Sequence, residues 1–387
     1  MTITSAKTGV WILDDAYKKI ASGCWVQYNL EADPGTLWAW GANDEGRLGD
    51  GTQTRRSSPV QIPGTQWVNV KPGPNHSIAR KSDGTLWVWG RGGIGESLGN
   101  QTYTVTNVSP LQIPGTQWND IAAADGMSMA RKCDGTLWSW GCGQFGKLGQ
   151  NSTYHRNSPA QVPGTQWTAI DSGSNNTVFA RKSDGTLWAW GNNSRGQLGR
   201  DNILTTNCVS SPVQIPGTAW SDVAAGNQHV LARKSDGTLW TWGYNGTGQL
   251  ARGPTGAYSA VSSPVQIPGT AWNDIAASAQ SSFARKTDGT LWAWGHNDRG
   301  TLGIDVRTHR SSPVQVPGTQ WREITGGSFT GFARKNDNTL WAWGSGDDGR
   351  LGTGSVVYAS SPTQIPGTVW TEIAAQGGAR HSFARKA

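Results

Sequence analysis

The chain has 387 residues, 35% of them hydrophobic, and a formal charge of +7 at neutral pH. That length exceeds one ordinary hydrophobic core but suits a ring of small sheets. No stretch reaches the length of a membrane-spanning helix, and residues 1–23 lack the basic start and apolar run of a secretory signal.

Residues 9–25 read Gly-Val-Trp-Ile-Leu-Asp-Asp-Ala-Tyr-Lys-Lys-Ile-Ala-Ser-Gly-Cys-Trp. Leu13, Tyr17 and Ile20 fall at helical spacing, Asp14 and Asp15 favour a helix start, and Gly23 a stop. With Trp11 they form an apolar stripe that needs cover, either from the chain's own surface or from another chain. Residues 1–30 are therefore read as a partly helical extension and docking segment, separate from a domain over 31–387.

From residue 36 the phrase Leu-Trp-x-Trp-Gly returns seven times, with pairs Trp38/Trp40, Trp87/Trp89, Trp138/Trp140, Trp188/Trp190, Trp240/Trp242, Trp292/Trp294 and Trp341/Trp343. The steps between first members are 49, 51, 50, 52, 52 and 49 residues, the mark of a repeat architecture. A second phrase, Pro-Gly-Thr-x-Trp, ends at Trp67, Trp118, Trp167, Trp220, Trp272, Trp321 and Trp370. Only Trp11 and Trp25 of the 23 tryptophans fall outside both phrases, so the indoles are read as scaffold.

In Thr36-Leu37-Trp38-Ala39-Trp40, alternation puts both tryptophans on one strand face and Leu37 with a small residue on the other. The middle residue is Ala, Val, Ser or Thr in every copy, which lets neighbouring sheets nest. A strand ending Ala-Arg-Lys precedes, joined by a Ser-Asp-Gly-Thr turn as at 183–186, where Gly accepts positive φ and Asp bonds its own backbone. Further strands follow Pro-Gly-Thr-x-Trp and cover Pro-Val-Gln-Ile-Pro. Four strands in each of seven units predict an all-β fold, a seven-bladed β-propeller of four-stranded blades. The first unit lacks its Ala-Arg-Lys strand, and the chain stops on Ser382-Phe383-Ala384-Arg385-Lys386 without the phrase that should follow. Pairing of the C-terminal strand with the N-terminal one closes the ring, with residues 25–30 as the competing partner.

The run 183–199, Ser-Asp-Gly-Thr-Leu-Trp-Ala-Trp-Gly-Asn-Asn-Ser-Arg-Gly-Gln-Leu-Gly, resembles the repeat of the regulator-of-chromosome-condensation family, and the likeness spans residues 34–387. It implies a seven-bladed propeller and leaves the function open, because propellers host unrelated activities. The resemblance brings in a nucleotide-exchange factor that binds nucleosomes, an inhibitor that plugs β-lactamases, and repeats in virion proteins of phages. The N-terminal phrase Gly-Val-Trp-x-Leu, with its later Tyr and Gly-x-Trp, is also similar to a segment of structural proteins of marine tailed phages.

The chemistry-bearing residues show no catalytic pattern. Cys24, Cys133, Cys142 and Cys208 lack Cys-x-x-Cys spacing, so neither a disulfide framework nor a zinc site is expected. His76, His229 and His381 recur at one place in the repeat and read as framework. His155 and His309 stand in variable loops without a partner at metal or triad spacing. No enzyme, metal or cofactor is expected. The Arg-Lys pairs supply 14 of 33 basic residues and spread around the ring, so they read as framework rather than a phosphate grip, and no nucleic-acid partner is expected.

Function is sought where the repeats disagree. The segments between Leu-Gly and Ser-Pro-Val-Gln vary and emerge on one face of a propeller. They carry Tyr103, Tyr154, Tyr258 and Tyr358, with Arg55, Arg56, Arg156, Arg307 and Arg310 nearby, the residue types that protein interfaces concentrate. The expectation is a non-enzymatic scaffold: a phage virion structural or adhesion protein, made in the host cytoplasm and binding virion subunits or a host surface component without membrane insertion. The alternative is a soluble binding or inhibitory propeller similar to the β-lactamase inhibitor, cytoplasmic or secreted. A chromatin or small-GTPase regulator ranks third.

Overall fold

The computed structural model describes residues 35–92, 98–99, 106–201, 208–252 and 259–386, with two short paired strands at Ile3–Ser5 and Gly9–Trp11. The expected docking residues Leu13, Tyr17 and Ile20 lie outside the described residues, as do Tyr103 and Tyr258. Of Trp11 only the backbone is described, closing the second short strand.

Seven four-stranded antiparallel sheets follow one another around a ring. In blade 4 the inner strand Trp167–Gly173 leads to Thr177–Lys182, then Leu187–Asn192, then the outer strand Cys208–Gln214. Ala180 faces Trp188 and Val178 faces Trp190, while the outer strand loses register opposite Trp190. Blade 1 is composite: Trp370–Ala374 and His381–Lys386 from the C-terminus pair with Thr36–Gly41 and Arg56–Gln61 from the N-terminus. Thr36 stands opposite Lys386 and Gly41 opposite His381, so the C-terminal strand closes the ring. Blades 2 to 7 follow in chain order. Strand alternation puts the variable loops and the inner-to-second turns on one face, here the loop face. The Ser-Asp-Gly-Thr turns share the other, the hairpin face.

The two tryptophans of Leu-Trp-x-Trp-Gly share a strand face but differ in depth. The second is fully buried in every blade, whereas the first is half-buried and donates its indole N–H to the turn threonine, as Trp188 does to Thr186 at 2.8 Å. Each hydrophobic cluster joins adjacent blades. Leu37, Ala39, Leu48 and Ile62 of blade 1 pack with Trp67, Val70, Ala79 and Trp89 of blade 2. The core is thus seven inter-blade layers. The glycine of Leu-Gly lies against the second tryptophan of the next blade, and a Cβ at Gly49 would come within 2.7 Å of the Trp89 ring. Blade 5 breaks this pattern with Ala251, held at φ +54° and packed against the Trp294 cluster.

The Arg-Lys pairs are framework. Every lysine ammonium sits between two indoles of its own blade, Lys182 at 4.8 Å from Trp167 and 4.4 Å from Trp188. The same double contact recurs at Lys81, Lys132, Lys234, Lys286, Lys335 and Lys386, each favourable by about 0.5–1 kcal/mol. The arginines point inward, Arg334 to Glu323 at 2.9 Å and Arg385 to Glu372 at 2.6 Å.

The inner strands enclose a channel in which Asp171, Asp222, Asp274, Glu323, Glu372 and Lys71 line a cavity of about 300 Å³. These carboxylates also bind the next blade: the N–H of Ala225 donates to Asp171 at 3.0 Å. The inner-to-second connection of blade 1 crosses the channel. Gln376 Nε2 donates to the carbonyls of Ser172, at 2.8 Å, and Ala123, and a Cβ at Gly378 would lie 2.7 Å from Ser174. Burial pushes Asp171 up to about 6 against the pull of Lys71. It pushes Asp274 up to about 7 against Arg285, helped by repulsion from Asp222 and Glu323.

Ala251→Gly relieves a left-handed alanine, and thermal unfolding is expected to show a gain of about 1 kcal/mol, since the strain exceeds the added unfolded-state freedom of glycine. A raised carboxyl keeps a proton in the folded chain that the unfolded chain has lost, so its ionisation makes stability fall as pH rises from the ordinary carboxylate value towards 7. Asp274→Asn cannot ionise. Its melting temperature relative to the parent is expected to rise between about pH 5 and about pH 8, whereas a constant difference would mean that Asp274 ionises normally.

Candidate functional site

The loop face is built on a repeated device. An asparagine just past the third strand (Asn43, Asn193, Asn245, Asn297) accepts through its side-chain oxygen the N–H of the leucine five residues on. In blade 6 the Asn297 amide also donates to the carbonyls of Val306, at 2.6 Å, and Thr308, at 3.1 Å. Folding the loop back this way sets the residue after the asparagine beside one eleven positions further along. In blade 1 that pair is Asp44 and Arg55, at 2.9 Å, and in blade 7, where Gly346 replaces the asparagine, it is Asp347 and Tyr358, at 3.3 Å.

The structure divides the expected loop residues. Arg55 spans from Asp44 to Asp348 of blade 7, at 2.7 Å, and its hydrogen bond holds Asp44 below the usual carboxylate range. Arg307 lies over the Tyr358 ring at 5.5 Å. These three gather where blades 6, 7 and 1 meet. Arg56 is occupied internally by Asp50 at 2.9 Å, and Arg310 is half-buried at the start of its outer strand. Tyr154, 78% exposed, and Arg156, bonded to Gln150 at 3.2 Å, belong to blade 3 and do not join the others.

The centre of the gathered patch is Arg299. Its guanidinium lies 5.1 Å from the Phe329 ring, 5.7 Å from that of Tyr358, and 2.5 Å from Asp347. Burial would raise Asp347, but hydrogen bonds from Ser345 and Tyr358 and the charges of Arg299 and Arg350 hold it below its ordinary value. Arg299, Phe329, Asp347, Asp348, Arg350 and Val356 line a cavity of about 490 Å³. Val306, Val356 and Val357 stand exposed on this face. Phe329 adopts φ +57°, an uncommon conformation for a bulky residue. Its turn position holds Asn75, Asn176, Gln228 and Gln280 in blades 2, 4, 5 and 6, so an aromatic departure from a polar pattern was the available signal for it.

Two further observations concern histidines. The imidazoles of His76 and His381 are buried and meet Ser128 at 2.9 Å and Ser77 at 2.7 Å on the following blade. His309, without a partner by sequence spacing, lies with its ring 4.8 Å from that of His296, and Asp298 is beside both.

A model of the RCC1-like domain matches residues 4–273, and the regulator of chromosome condensation (RCC1) repeat matches 288–333 and 337–385. The chain is 27% identical to the protein RCC2 homolog of Danio rerio over 282 residues, covering 71% of this chain and 52% of that one. It is 30% identical to the ultraviolet-B receptor UVR8 of Arabidopsis thaliana over 275 residues, covering 69% and 62%. The crystal structure of Prp20p from Saccharomyces cerevisiae superposes with a TM-score of 0.82 at 22% identity, covering 95% of this chain and 94% of that one. The chain spans about half the length of the RCC2 proteins it matches. These relatives come from animals, plants and yeast. They overturn the expected phage virion role and virion location, and lend nothing to the inhibitor-like alternative or to the phage likeness of the N-terminal phrase. With the repeat matched around the ring and blades formed in its register, the chain belongs to the RCC1-like domain family.

Proposed function

We propose that this chain is a non-enzymatic recognition propeller that docks a protein partner on its loop face, over blades 6, 7 and 1. The observation that carries this reading is the cluster of Arg299, Phe329, Tyr358 and Arg307 beside exposed Val306, Val356 and Val357. Aromatic rings and arginines around apolar side chains are what binding hot spots are made of. Prp20p is described as binding Gsp1p and histones, and UVR8 is a receptor, so protein recognition is in keeping with the family. The regulatory reading, third among the sequence expectations, is the finer form of this proposal. The contacts of His76 with Ser128 and His381 with Ser77 are sealed between blades, which supports binding rather than catalysis.

Arg299→Ala combined with Tyr358→Ala is expected to weaken binding of a protein partner isolated with the parent chain as bait by about thirtyfold, roughly 2 kcal/mol. Arg322→Ala, at an exposed position on the hairpin face, should leave it unchanged. Calorimetric affinities that are equal for all three proteins would place the contact elsewhere.

A further inference from the structure

Blade 6 fills its loop device with three side chains that can ligate a metal. His296 precedes the organising Asn297, Asp298 follows it, and His309 is the residue folded back beside Asp298. Nε2 of His296 lies 3.2 Å from one Asp298 carboxylate oxygen, and Nδ1 of His309 lies 3.6 Å from the other. Ligand atoms of all three lie within 4.8 Å of one another. We propose that His296, Asp298 and His309 form a binding site for a divalent first-row transition ion of the zinc class, with a fourth position left to solvent.

Zinc bonds of about 2.0–2.2 Å in a tetrahedron set neighbouring ligand atoms about 3.4 Å apart. The separations of 3.2 and 3.6 Å from the two imidazoles to the two Asp298 oxygens are of that size. No pair in the set is further apart than 4.8 Å, and the His309 side chain, 40% exposed, has room to turn and close the remaining gap. Two imidazoles and one carboxylate suit zinc-like ions and not calcium or magnesium, which take oxygen ligands. Nε2 of His296 faces the Asp298 carboxylate at 3.2 Å, so ligation through it exchanges that contact for the metal and leaves the ring proton on Nδ1, which has no competing hydrogen bond to break. Nδ1 of His309 accepts the N–H of Asn297 at 3.1 Å, and ligation through it exchanges that bond for the metal.

The other blades show that the scaffold alone does not demand this set. The matching places hold Ala42, Asp44 and Arg55 in blade 1, Cys142, Gln144 and His155 in blade 3, and Ser345, Asp347 and Tyr358 in blade 7. In blades 1 and 7 an arginine takes the carboxylate, Arg55 on Asp44 at 2.9 Å and Arg299 on Asp347 at 2.5 Å. Asp298 is left to the two imidazoles and is 67% exposed. The charge that opposes a cation here is Arg299, which Asp347 already engages. The site does not depend on the docking proposal, although the His296 ring touches Phe329, at 5.4 Å between centroids.

The test is calorimetric titration of the full chain with Zn²⁺, with Co²⁺ absorbance as a second readout of tetrahedral nitrogen and oxygen ligation. One ion per chain is expected. His296→Gln and Asp298→Asn should each weaken binding by more than the roughly tenfold that even an outer-shell partner is worth. Both should also reduce the Co²⁺ absorbance. Asp298 is 67% exposed and asparagine keeps its shape, so its variant folds and keeps the measurement decisive. His155→Gln, in the matching loop of blade 3, should alter neither readout. Absence of saturable binding below about 1 mM Zn²⁺, or equal affinity in parent and both blade 6 variants, overturns the proposal.

Discussion

The indole N–H of the second tryptophan crosses, in six of the seven repeats, from one blade to the main chain of the one before. Trp89 donates to the Arg47 carbonyl at 2.9 Å, Trp190 to Lys147 at 2.9 Å, Trp242 to Gln197 at 2.8 Å and Trp343 to Thr301 at 2.8 Å. Trp40 donates to Arg350 at 3.0 Å, joining the composite first blade to the seventh. One side chain therefore fills the layer between two sheets and satisfies a buried donor and acceptor together. No blade buries its own hydrophobic face. Stability depends on neighbours, and only ring closure supplies every blade with two.

The glycine ahead of each indole follows from the same contact, because a Cβ there meets the ring. Ala251 shows that one blade can tolerate the departure while Trp294 keeps its bond to Gln249 at 2.9 Å. With the frame fixed by tryptophan, glycine and the lysine between two indoles, the loops that leave the third strand are free to vary. Four of them are folded back by an asparagine of their own. Different pairs of side chains can then be displayed on one geometry, as Asp44 with Arg55 and Asp298 with His309 illustrate.

Blade number, strand number and closure were readable from the sequence because each rests on local signals: alternation, turn chemistry and the phase at which the repeat begins and ends. The depth difference between Trp188 and Trp190 was not, since it depends on the adjacent blade. The loop face was readable as a place and only partly as a list of residues. Arg55, Arg307 and Tyr358 converge there, but their centre, Arg299 on Phe329, joins residues thirty positions apart that meet only when blades 6 and 7 stand side by side. His296 and His309 escaped for a related reason: no metal motif has their spacing, and Asn297 alone brings them together. Gln376, which crosses the channel to Ser172, depends on ring geometry entirely.

The formal charge of +7 overstates what the surface offers a partner. Seven lysines are held between indoles, and arginines of the same pairs are spent on channel carboxylates such as Glu323 and Glu372. Ring symmetry places all of these pairs at the hairpin face, spaced evenly around it and away from the loop face, so they set up no charge pattern on the loop face. What breaks the symmetry is local: Phe329 and Arg380 at turn positions where four other blades carry amides, and valines exposed on the blade 6 and 7 loops. Specificity in such a molecule comes from a few departures clustered by the ring, not from composition. The same repeat is shared with relatives as different as RCC2 and an ultraviolet-B receptor, as expected where the frame and the loops that vary on it are separate.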